Sequence, residues 1–155
     1  MSVVLTTAGV AVKYAVEETK GTRPTTNYVT VHDIKSTPGF NPEPETLETT
    51  DLSQTEYKTY TSGLKDLGGA APFLVNLTTD FIAEWKVLIE AYKAAANEGK
   101  AIWFEICHPK IDDSVFFTGQ PSELGLPEMS VNSVLEAEVY ITPTNAPIWE
   151  AKSTT

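Results

Sequence analysis

A chain of 155 residues and 16.9 kDa fits one domain, and surface scaling lets it bury about 69% of its unfolded surface without disulfides or metal. With 41% hydrophobic and 21% charged residues, collagenous, disordered and disulfide-scaffold classes are excluded. The 11 Lys+Arg against 21 Asp+Glu leave a formal charge of −10, −3 over residues 1–78 and −7 over 79–155, with no basic cluster of the kind that phosphate-backbone binding needs.

A single cysteine, Cys107, cannot form an internal disulfide and permits a reducing compartment. Apolar runs are short and Met1 to Val12 lacks a basic n-region, so neither a membrane span nor a secretory signal is expected, and the chain reads as made in the cytosol.

Val10, Val12, Tyr14 and Val16 alternate with Ala11, Lys13, Ala15 and Glu17, a period of two that predicts a half-buried strand. Turn chemistry around Gly21 and Pro24 separates it from a second strand at Tyr28 to Ile34. Ser36 to Thr50 contains Pro38, Gly39, Pro42 and Pro44, which predicts a long loop without ladder pairing. Leu47 to Leu52 and Tyr57 to Thr61 then read as a polar, Thr-rich hairpin around Ser53 to Glu56, followed by a short strand at Phe73 to Thr78.

The clearest helix runs from about Asp80 to Glu98, with Phe81, Trp85, Leu88, Tyr92 and Ala95 on one face. Thr79 or Asp80 is expected to cap its start, and Gly99 sits where a left-handed residue ends a helix. Strands are expected at Ala101 to Cys107, Val115 to Thr118 and Val131 to Thr142. In the last of these, Leu135, Ala137, Val139 and Ile141 face inward and Glu136 and Glu138 outward. The apolar run through Ile102, Trp103 and Phe104 implies a strand buried on both faces, and the tail from Pro143 is expected to leave the sheet. About seven strands and one helix predict a mainly β fold, a two-sheet β-sandwich or open barrel with one flanking α-helix.

Catalytic chemistry finds little to stand on. Cys107 and His108 are adjacent on a strand and point to opposite faces, and His32 reads as a strand surface residue. Asp112 and Asp113 offer two oxygens at a turn where calcium wants six to eight, so a solvated turn is the simpler reading. Glu136 and Glu138, about 7 Å apart on a strand, match an inverting-glycosidase separation only because any i, i+2 pair does. Gly68-Gly69 lacks a phosphate-loop context and reads as a turn, and Asn76-Leu77-Thr78 is a formal sequon without a secretory context. Trp85 is placed in the core, whereas Trp149, in the tail, either docks on another molecule or packs back.

The segment Pro38 to Gly68, with PETLETTDL at Pro44 to Leu52, KTY at Lys58 to Tyr60 and GLKD at Gly63 to Asp66, resembles phage major tail tube proteins of long non-contractile tails. A weaker similarity extends through the order sheet, helix, sheet to ITPTNAP at Ile141 to Pro147. Thr61-Ser62 departs from the Ile-Pro pair common before the glycine. The resemblance implies a non-enzymatic, cofactor-free β-sandwich subunit of the virion tail, made in the host cytoplasm, whose hexameric rings stack into a tube through which DNA passes without specific binding. Its implied partners are further copies of itself and the tape measure, tail terminator and baseplate proteins. Pro38, Phe40, Pro42, Pro44, Leu47 and Trp149 become candidates for contacts between subunits or rings, with extended chain ends assisting. Glu136 and Glu138 become candidates for the lumen, with an ordinary solvated surface as the other reading. Six copies carry 6 × (−10) = −60 formal charges, suited to letting DNA slide. A small β-sandwich binding module for carbohydrate or protein, in another tail component, is the alternative from a different class. A hydrolase using Glu136/Glu138 or Cys107/His32 is the third.

Overall fold

The computed structural model describes residues 4–6, 8–40, 43–66 and 69–153. The chain forms two compact units, one from residues 1–38 and 70–155 and one from residues 39–69.

The larger unit contains β1 (Ala11–Val16), β2 (Val29–Val31) and β3 (Ile34–Ser36). The smaller holds β4 (Glu43–Glu48) and β5 (Tyr60–Asp66). The larger then continues with β6 (Ala71–Asn76), α1 (Thr79–Asn97), β7 (Ile102–Cys107), β8 (Asp113–Pro121), β9 (Glu136–Pro143) and β10 (Ile148–Ala151). Its sheet is antiparallel in the order β2-β1-β7-β8-β9-β6-β3, with β10 also on β8. The two ends of that order, β2 and β3, are joined by His32 and Asp33 alone. The second predicted strand is therefore one kinked strand that starts on the edge of β1 and finishes on the edge of β6, and the sheet curls almost into a closed barrel.

The kink is built by Asp33 at φ 64, a left-handed conformation that Asp tolerates better than most residues. Its carbonyl accepts the Asn76 N–H at 2.8 Å, and its carboxylate accepts the Thr78 hydroxyl at 2.7 Å. Glu84, on the helix, takes both the His32 backbone N–H (3.0 Å) and His32 Nδ1 (2.6 Å), so the polar groups released at the bend are satisfied.

Alternation and register place Tyr14, Phe104 and Phe117 in one row, with Phe73 opposite Val139 and Val75 opposite Ala137. All are buried on the inner face. Gly119 is bare there for a reason: a Cβ would lie 2.6 Å from Ile141 and 3.2 Å from the Phe104 ring. Helix α1 packs against β8, β1 and β2 through the face anticipated from its periodicity. Phe81, Trp85, Leu88 and Ala95 are buried and Tyr92 is half-buried. Its N-cap is Thr78, one residue before the expected caps, and its hydroxyl accepts the Phe81 N–H at 3.1 Å. Gly99, at φ 71, ends the helix as anticipated: Gly99 N–H bonds to Ala96 O and Lys100 N–H to Ala95 O, a Schellman closure.

Three expectations are corrected. Ser36 to Thr50 is not ladder-free, because β4 lies within it and includes Pro44. A two-stranded ladder leaves each strand an open edge, and the register shifts between Pro44 and Thr46, both settings that tolerate a residue without an N–H. The tail does not leave the sheet. β9 occupies β8 only at Gly119–Pro121, so the chain bulges out at residues 144–147 and returns as β10 along the vacant Asp113–Phe116 edge. Thr118 bridges the bulge, its N–H donating to Asn145 Oδ1 and its carbonyl accepting Thr144 N–H, each at 2.8 Å. Finally, β9 begins at Glu136 rather than Val131. Ala137, Val139 and Ile141 are buried as expected, whereas Leu135 is 41% exposed.

Candidate assembly surfaces

The smaller unit is a hairpin whose tip is organised by polar groups. Thr49 and Thr59 bond through backbone (2.7 Å) and hydroxyls (2.9 Å), and Asp51 accepts the Ser53 hydroxyl (2.5 Å) and N–H (2.9 Å). Those two Ser53 bonds hold the Asp51 carboxyl below its usual range. At Gly63 a Cβ would meet Glu45 at 3.3 Å and Leu47 at 3.5 Å, so the two strands close tightly on that side. The apolar side chains are another matter. Leu47 is 46% exposed and Leu64 87%, and Leu52, Tyr57 and Tyr60 are also exposed. By register, Leu47 shares a face with Thr61, whereas Tyr60 and Leu64 lie on the other, so apolar surface is open on both sides of the ribbon. An isolated two-stranded hairpin is marginal in water, and open ladder edges are templates for pairing.

Of the other contact candidates, Pro38 and Phe40 are half-buried, Pro44 is exposed, and Pro42 lies outside the described residues. Trp149 sits on β10 opposite Val115 and is 64% exposed. Packing back is thereby corrected: pairing on an edge strand turns the indole outward.

Glu136 and Glu138 lie together on the outer face of β9 with Tyr140. Glu136 pairs with Lys35 at 2.5 Å. Glu138 accepts the Tyr140 hydroxyl at 2.9 Å, a bond that, with the carboxylate charge, raises the Tyr140 pKa.

The groups considered for catalysis are engaged separately. His32 is held by Glu84, while His108 contacts the Thr6 carbonyl through Nε2 and accepts the Lys110 N–H at Nδ1. Asp112 and Asp113 are exposed, and Asp113 is already in β8. Among the described residues no group of three or more His, Cys, Asp or Glu could hold a metal. Gly68 lies outside the described residues, and Thr78 of the formal sequon is the helix cap.

Two carboxylates that periodicity did not single out are buried. Glu17 accepts Ala101 N–H (2.8 Å), Trp103 Nε1–H (2.9 Å) and Gly21 N–H (3.3 Å). Burial opposes its ionisation, but these donors and Lys20 together hold its carboxyl below the usual range. Glu105, 1% exposed on the outer face of β7, accepts Ser153 Oγ (2.6 Å) and N–H (3.1 Å). Beside it on β8, Phe116 is covered by Arg23 at 4.2 Å and by the Tyr28 ring at 5.8 Å, and burial pushes the Tyr28 hydroxyl up to about 12. The loop after β1 and Ser153 thus form a second layer on β7 and β8. A glutamate ending the alternating run of β1 was the available signal for Glu17. Nothing local marked Glu105.

No family model matches this sequence, and no curated protein matches it. Among solved structures, a chain of the anti-feeding prophage baseplate, determined by cryo-EM and 6-fold symmetrised, superposes with a TM-score of 0.64. The match covers 97% of this chain and 98% of that one at 7% sequence identity. At that identity the likeness is one of fold, and it extends over nearly the whole length of both chains.

Proposed function

We propose that this protein is a structural subunit of a phage tail, and specifically of the tail tube, in which rings of six copies stack into a conduit for DNA. The observation that carries the assembly is the hairpin of β4 and β5, with apolar side chains open on both faces and, among its described residues, no buried side chain. Its burial against a neighbouring copy supplies what the ribbon lacks, and Trp149 on β10 offers a second exposed anchor. The likeness in fold to a chain of a 6-fold symmetrised prophage baseplate supports the tail setting and the symmetry. So does the resemblance of residues 38–68 to tail tube sequences.

In this reading the subunit works by shape and charge, with no catalytic residue and no cofactor. Heterologous contacts between copies close into a ring and repeat along the axis. The net charge of −10 per copy keeps DNA from adhering to the wall, and Glu136 and Glu138 face the bore. Tape measure, terminator and baseplate proteins meet the tube at its interior and its two ends.

Negative-stain microscopy of purified protein at rising concentration tests the proposal. Six-fold rings or tubes are expected for the wild type. A variant with residues 39–69 replaced by a short Gly/Ser linker should remain folded, because loop-length changes cost little, and should not assemble. Wild-type particles that stay uniformly monomeric at every concentration overturn the tube assignment and leave a monomeric binding module.

A further inference from the structure

The outer face of β6 and β9 differs from that of β7 and β8. Instead of a second layer it carries a groove of about 400 Å³, bounded by Leu74 and Tyr140 on the sheet and by Leu126 and Pro127 on the connection between β8 and β9. That connection, residues 122–135, forms neither helix nor strand, and long connections of this kind are commonly functional. It is also unusually apolar for an exposed segment. Leu126 is 77% exposed and Val131 89%, and Met129 and Val134 are exposed beside them. Apolar side chains gathered along one loop, beside a groove of ligand-pocket size, mark an interaction surface rather than scattered exposure.

The charge around the groove indicates what fits it. Glu136 and Glu138 line it, and Glu128 lies on the loop. Lys35 neutralises Glu136, whereas among the described residues neither Glu128 nor Glu138 has an ion-pair partner. A ligand that only filled the apolar floor would leave the Glu138 carboxylate facing it without a cation. One carrying cations beside its apolar stripe would pair it. Met129, exposed two residues beyond Pro127 on the same connection, adds an adaptable side chain of the kind used by surfaces that receive amphipathic helices.

We propose that this groove is a docking site for an amphipathic helical segment of a partner protein, apolar on the side that enters the groove and bearing Lys or Arg along its margins. The floor at Leu74 and Tyr140 sits on the rigid β6–β9 ladder, and the loop closes over the inserted side chains. The site is complete within one copy of the chain, so it does not depend on ring formation.

The test uses a fluorescein-labelled helical peptide of Leu and Lys, titrated with the full-length protein at about 0.15 M salt and followed by anisotropy. A Leu/Glu peptide of the same pattern is the control. The wild type should bind the Leu/Lys peptide and not the control. The L126S/M129S double variant keeps the charge of −10 and alters only an exposed loop, so it should fold normally and bind about tenfold more weakly. E138Q should weaken binding about threefold and flatten its salt dependence. Unchanged affinity in L126S/M129S shows bulk charge attraction alone and overturns the groove. Absence of peptide binding overturns it too. Loss of self-association in L126S/M129S without peptide binding assigns the groove to a second copy instead, which likewise refutes the proposal.

Discussion

Replacing Glu17 by Gln probes a residue that joins three parts of the larger unit: the end of β1, the turn at Gly21, and the passage from α1 into β7. Its carboxylate, 4% exposed, accepts three N–H groups, of which the Trp103 indole N–H makes a buried bond and those of Ala101 and Gly21 part-buried ones. A Gln amide presents one oxygen in place of two and sets an NH₂ against a donor. At least one of these N–H groups then loses its partner, at about 1–3 kcal/mol for a buried donor, more when the lost acceptor was charged. A cost of about 3 kcal/mol in urea unfolding at pH 7 is expected, with tryptophan fluorescence as the probe and the protein dilute enough to stay unassembled. The pH dependence carries the sign. The folded-state pKa of Glu17 is lowered from the ordinary value of 4.5, so its ionic contribution is fully present above that value and fades as pH falls through the depressed folded value. The gap between wild type and E17Q should therefore be constant from pH 7 to 6 and narrow below 4.5. A gap under about 1 kcal/mol at pH 7, or one that widens in acid, refutes the reasoning.

Trp85→Ala should cost about 3–5 kcal/mol in the same assay, since it empties a fully buried site and strands the Ser122 carbonyl that accepts Trp85 Nε1–H at 2.9 Å. A loss below about 1 kcal/mol removes the helix from the core. Gly119→Val should destabilise by about 3 kcal/mol or more and broaden methyl NMR signals around Ile141, because its first carbon already falls 2.6 Å from that side chain. Unchanged stability would mean that β8 and β9 separate freely. Glu136→Lys with Glu138→Lys should leave ring formation intact while DNA lodges inside tubes in a salt-sensitive way. DNA held only on the tube exterior would place this face outside.

The helix was legible from residue spacing because its buried face, its terminal Gly99 and its aromatic content are all local properties of one segment. The same holds for the double-sided burial of β7, where consecutive apolar residues admit no exposed face, and for the inward set Ala137, Val139 and Ile141. For the candidate contact residues, the sequence pointed to the segment that holds the hairpin and to Trp149, either docking or packing back, and the structure leaves Leu47 and Trp149 exposed. What remained hidden depends on edges. Whether residues 148–151 pair is decided by β9, whose pairing ends at Gly119 of β8 and leaves the Asp113–Phe116 part of that edge vacant. Whether residues 28–36 form one straight strand or a bent one is decided by β1 and β6, which sit at opposite ends of the sheet and are joined only if Asp33 turns left-handed. Pro44 could enter a ladder because β4 has a partner on one side alone. The burial of Glu17 and Glu105 likewise comes from donors 84, 86 and 48 residues away, whose approach no periodicity along the chain records. Side-chain pattern is a property of neighbours in sequence, and it set the faces. Vacant edges and distant donors are properties of the assembled sheet, and they set its closure, its second layer and the surfaces left open for other molecules.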